Sequence, residues 1–64
     1  MTYPEFQRYM ANYGFVNTPL TETQYAICVR DGLDINSIYS VACDVNAGLR
    51  FSRALAVHMV TEPI

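Results

Sequence analysis

The side chains best suited to hold a soft metal are Cys28, Cys43 and His58, the two cysteines fifteen positions apart. A structural zinc site needs four ligands, usually as two close pairs, and this spacing matches no such pattern. His58 as a lone base has no second acid or ligand near it in sequence. Its place near the end of the last predicted helix favours a plainer role, because the helix dipole there stabilises its protonated form. The two cysteines fall inside predicted helices among apolar neighbours, which reads as reduced core thiols in a cytoplasm rather than a disulfide. No catalytic, metal or cofactor site is expected, and the chain does not read as an enzyme.

The basic residues are Arg8, Arg30, Arg50 and Arg53, with no lysine. Arg50 and Arg53 stand at the start of the last predicted helix, where a cation opposes the helix dipole. They answer either an acidic partner or an acid within the fold, Asp44 or Asp31. The tyrosines Tyr3, Tyr9, Tyr13, Tyr25 and Tyr39 suggest a stacking platform for single-stranded nucleic acid, but no cations are interleaved with them. Their spacing fits core packing and a protein interface equally well. Tyr39, in the middle of the third helix, is therefore a candidate contact.

Four short helices must position these groups. Each glycine precedes a large apolar residue, as Gly14-Phe15, Gly32-Leu33 and Gly48-Leu49. That pair marks a helix stop, with the glycine left-handed and the next side chain folded back on the last turn. Thr2-Tyr3-Pro4-Glu5 and Thr21-Glu22-Thr23-Gln24 are capping boxes, and Asp34 caps the third helix. The expected helices run over about 3–13, 22–31, 35–47 and 51–60. In the second, Tyr25, Cys28 and Val29 share the inner face. Ile27 falls among Thr23, Gln24 and Asp31, which makes it a candidate contact outside the fold. The third helix is apolar around more than half its circumference and is expected at the centre. In the fourth, Phe51, Ala54, Leu55 and His58 face inward. Val57 and Val60 lie off that stripe, towards Arg53.

The 64 residues make one domain, 1–64, with a small core, because a chain this short buries only ~60% of its unfolded surface. Only 16% of the residues are charged, against a usual ~25%. A charge-poor surface with off-stripe Ile27, Val57 and Val60 predicts a homodimer or a protein partner. No apolar run approaches a membrane span and no basic leader precedes one, so a cytoplasmic protein without membrane contact is expected.

Gln24 to Val41 has the apolar skeleton of a helix-turn-helix, with Cys28, Gly32, Leu33, Ile38 and Val41 at its packing positions. Its second helix shows Asn36, Ser37, Ser40 and Asp44 but no cation. With a net charge of −2 the chain lacks the electrostatic attraction on which DNA binding depends. Nucleic acid is not the expected partner.

The phrases Thr2-Tyr3-Pro4-Glu5-Phe6-Gln7, Leu20-Thr21-Glu22-Thr23-Gln24-Tyr25 and Val41-Ala42-Cys43-Asp44-Val45-Asn46-Ala47-Gly48, with the chain length, resemble the small early proteins of lambdoid phages. Those proteins are encoded between the recombination and excision genes of phage lambda and its Shiga-toxin relatives. The resemblance implies a compact, dimeric, all-helical protein that perturbs host physiology or the choice between lysis and lysogeny, and it carries over no catalytic residue. The expectation is an all-α bundle of four short helices that binds and modulates a host protein. A helix-turn-helix DNA regulator and an inhibitor of a host defence system are the alternatives. The candidate contacts are Ile27, Tyr39, Arg50, Arg53, Val57 and Val60.

Overall fold

The computed structural model describes residues 1–59, so Val60 lies outside the described residues. Four α-helices follow one another: α1 (Tyr3–Ala11), α2 (Glu22–Arg30), α3 (Ile35–Asn46) and α4 (Phe51–Met59). None is long and apolar enough to cross a membrane, and the described residues contain no strand.

Local chemistry explains where the first three helices start. The Thr2 amide donates to Glu5 Oε1 at 2.7 Å, while the Glu5 amide donates to Thr2 Oγ1 at 3.3 Å. Thr21 and Gln24 repeat the exchange at 3.0 and 3.1 Å. Asp34 accepts from the Ser37 amide at 2.9 Å. These bonds satisfy donors that the first turn of a helix leaves without an intrahelical partner.

The stops are as local as the starts. Gly32 has φ +85°. Its amide donates to the Val29 carbonyl, and the Leu33 amide reaches back to Cys28. This is a Schellman turn, which takes up two of the carbonyls that a helix end leaves unpaired. The same pair of bonds recurs after α1, from Gly14 to Ala11 and Phe15 to Met10, and after α3, from Gly48 to Val45 and Leu49 to Asp44. The turn also accounts for α1 ending at Ala11 rather than Tyr13. The Tyr13 amide bonds Met10, three residues back, so the helix tightens before its glycine. Ends of α2 and α3 fall within one residue of expectation.

The core consists of Phe6 and Met10 from α1, Leu20 from the first connection, and Tyr25 and Cys28 from α2. Ile38, Val41 and Ala42 come from α3, and Ala54 from α4. Helix α3 packs along α4 while α1 packs along α2. Two aromatic groups complete the assembly. Phe6 stacks on Tyr25 with centroids 4.8 Å apart, and Tyr3 lies 5.8 Å from the same ring. At the other end of α1, Tyr9, Tyr13 and Phe15 gather around Tyr39 of α3 at 6.1, 4.9 and 6.3 Å. Helix α1 thereby closes over both α2 and α3. Two tyrosine hydroxyls clasp the chain: Tyr3 donates to the Leu20 carbonyl at 2.7 Å and Tyr25 to that of Met1.

Two caps make the fold sensitive to acid. The amide of Ser37 holds the Asp34 carboxyl below the ordinary 3.8, and the Thr2 amide holds Glu5 below 4.5. Both carboxyls have lower pKa values folded than unfolded. Their stabilisation is therefore present above those ordinary values and lost as pH falls through the folded ones. We expect the thermal midpoint to drop below about pH 4. An Asp34→Asn variant, whose amide caps as well but does not titrate, should show a shallower acid limb. Parallel acid limbs in the two proteins would remove Asp34 as a contributor.

Candidate functional site

The fold distributes the six candidate contacts unequally. Ile27 is half-buried, whereas Val29, two residues on, is about half exposed. Helix α2 is thus rotated from the expected orientation. Its covered side runs through Gln24, Tyr25, Ile27, Cys28 and Asp31, and Ala26 and Val29 face out. The fold itself covers much of Ile27. Tyr39 is also half-buried, enclosed by the aromatic group at the end of α1. Its hydroxyl is raised above the usual phenol range by the neighbouring Cys43 thiol, and secondarily by desolvation.

Arg50, Arg53 and Val57 remain together. Along a helix they recur at intervals of three and four residues, which places them on one side. All three are exposed, Val57 at 59%. The buried side of α4, which adjoins this one at Ala54, carries the fully buried Ala54 and the half-buried Phe51, Leu55 and His58. Arg50 also begins the helix, since its carbonyl accepts the Ala54 amide at 2.9 Å. Just before it, Leu49 lies in the turn that ends α3 and is 37% exposed.

Among the described residues no internal partner meets the arginines. Asp44 lies 3.8 Å from His58 Nε2, and Asp31 lies 3.6 Å from Arg30 Nε. Among the described residues no carboxylate comes within ion-pair distance of Arg50 or Arg53. The salt bridge to Asp44 or Asp31 that the sequence left open to them is not made, and these two acids lie instead against His58 and Arg30. The first turn of α4 contains no acid either.

The pairing of His58 with Asp44 was not apparent in the sequence. It ties α4 to α3 at a half-exposed position. A carboxylate can orient an imidazole for proton transfer, but catalysis also needs a nucleophile or third group in reach. Among the described residues no three His, Cys, Asp or Glu side chains come together. Cys28 is a free, fully buried thiol, raised above its ordinary range by desolvation. Cys43 is free and half-buried.

The helix-turn-helix skeleton is present as packing: Cys28, Ile38 and Val41 are buried and Leu33 is half-buried. Its outer stripe is less open than a reading face requires. Asn36 is exposed, but Ser37, Ser40 and Asp44 are half-buried, and Asp44 meets His58 of α4.

Comparison of the chain with protein-family models, curated proteins and solved structures gives no match. The fold and surface define a small four-helix protein with an exposed arginine-bearing helix face.

Proposed function

We propose that this is a small non-enzymatic interaction protein that binds and modulates a host protein, with the outer face of α4 as its contact surface. One observation carries the reading: Arg50, Arg53 and Val57 stand exposed on one side of a helix, and the described residues supply no acid to the arginines. Arginine is enriched at protein interfaces, and an apolar side chain one turn beyond the two charges supplies the contact that becomes dry on binding. The sequence resemblance to lambdoid-phage early proteins supports a phage origin and an effect on host physiology or on the lysis–lysogeny choice.

The test is capture from nuclease-treated enterobacterial lysate with the wild-type chain and a Val57→Asp variant, read by mass spectrometry. One host protein retained near stoichiometry by the wild type and lost from the variant is the expected result. Equal capture by both proteins would remove α4 as the contact surface. Recovery of nothing but further copies of the chain would assign the exposed surface to self-assembly.

A further inference from the structure

We infer that the α4 face docks an acidic segment of a partner protein that presents two carboxylates beside an apolar side chain. This rests on the interaction reading above and adds the chemistry of the partner. Arg50 and Arg53, one helical turn apart, take the carboxylates, and Val57, one turn beyond Arg53, takes the apolar group beside them. From Arg50 to Val57 the stripe runs about 10 Å, at 1.5 Å of rise per residue. Two helical turns or a short extended segment of the partner cover that length.

Charge complementarity selects this occupant. The chain carries a net −2, yet its acids among the described residues lie away from Arg50 and Arg53. Glu5 and Glu22 stand in the first turns of α1 and α2, and Asp31 and Asp34 in the connection before α3. Asp44 faces His58 on the inner side of α4. The outer face of α4 has cations alone among its described charged residues. A second copy docking through a two-fold axis would set the same patch against itself and bring arginine towards arginine. Like charges at that distance oppose each other, so self-pairing through this face is disfavoured. Duplex DNA is a poorer occupant as well, because phosphate binding gains affinity with each neutralised charge and this surface offers two. The exposed Val57 would also remain wet against a phosphate backbone.

The inference is tested by selecting a random peptide display library on the immobilised full chain. The enriched peptides and a DNA duplex are then titrated by fluorescence anisotropy. Enriched sequences should combine Asp or Glu with apolar residues. Their affinity should fall at least about tenfold with Arg50→Glu/Arg53→Glu, and also fall with Val57→Asp, while Arg8→Glu on α1 leaves it unchanged. Circular dichroism of each variant separates lost binding from lost fold, and all four positions are exposed. Enriched peptides without acids, or peptides bound equally by the charge-reversed variant, would overturn the acidic partner and leave the interaction reading standing. No enrichment, together with no Val57-dependent capture from lysate, would overturn both. Salt-sensitive duplex binding lost on charge reversal would overturn the inference in favour of nucleic acid.

Discussion

Phe6→Ala should be the most damaging truncation in the core and bring the protein close to unfolding. Phe6 is fully buried and stacks on Tyr25. Tyr25 in turn is held by its hydroxyl on the Met1 carbonyl. Truncating a buried phenylalanine costs about 3–5 kcal/mol, through lost transfer energy and the cavity left behind. At roughly 0.05–0.15 kcal/mol per residue, a domain of this length has about 3–10 kcal/mol in total. A single side chain thus carries a third or more of the stability. Urea denaturation followed by circular dichroism measures it. Phe6→Leu should fall between the variant and the wild type, because it keeps most of the volume. A loss below about 1 kcal/mol for Phe6→Ala would show that the site collapses freely, which a rigid stack on Tyr25 does not permit.

The same contact marks the limit of what the residues alone reveal. Helix starts and stops were legible because their bonds are local. Thr2 with Glu5, Thr21 with Gln24, and each glycine with the carbonyls a turn behind it all interact within five residues. The inner face of α3 was legible for a similar reason, since its apolar positions outnumber its polar ones. Helix α2 was not, because Val29 and Ile27 flank Cys28 and are equally apolar. Which of them turns inward depends on how Tyr25 meets Phe6 and Tyr3, seventeen or more residues away. Periodicity contains no such information.

The contact surface divides along the same line. Arg50, Arg53 and Val57 share a side of one helix, so their spacing alone groups them. That Asp44 would be engaged by His58, leaving the arginines without it, depends on how α4 lies against α3. Neither helix encodes that register in its own pattern. Tyr39 shows the reverse case. Its neighbours Tyr9, Tyr13 and Phe15 were visible as apolar positions, but their convergence on one ring is a tertiary event that moves Tyr39 from candidate contact towards core.

Ala54→Asp should dislodge α4 and, with it, unfold the whole chain. Ala54 is the one fully buried residue of α4 among those described, and α3 is the helix it packs along. An uncompensated carboxylate at such a position costs roughly 3–5 kcal/mol, since no cation lies on the inner side of α4 apart from the half-buried His58. Losing α4 would expose Val41 and Ala42 and leave a chain of about fifty residues, close to the size at which a lone core fails. The helices contribute nine, nine, twelve and nine residues in chain order, so separate melting of α4 would remove about a quarter of the helical signal. Collapse of nearly all of it is expected instead. Ala54→Ser serves as the control, because its hydroxyl can bond the carbonyl of Arg50 one turn back. It should cost far less. Loss of only a quarter of the signal in Ala54→Asp would show that α1 to α3 fold without α4, making that helix an appendage free to leave its seat when a partner binds.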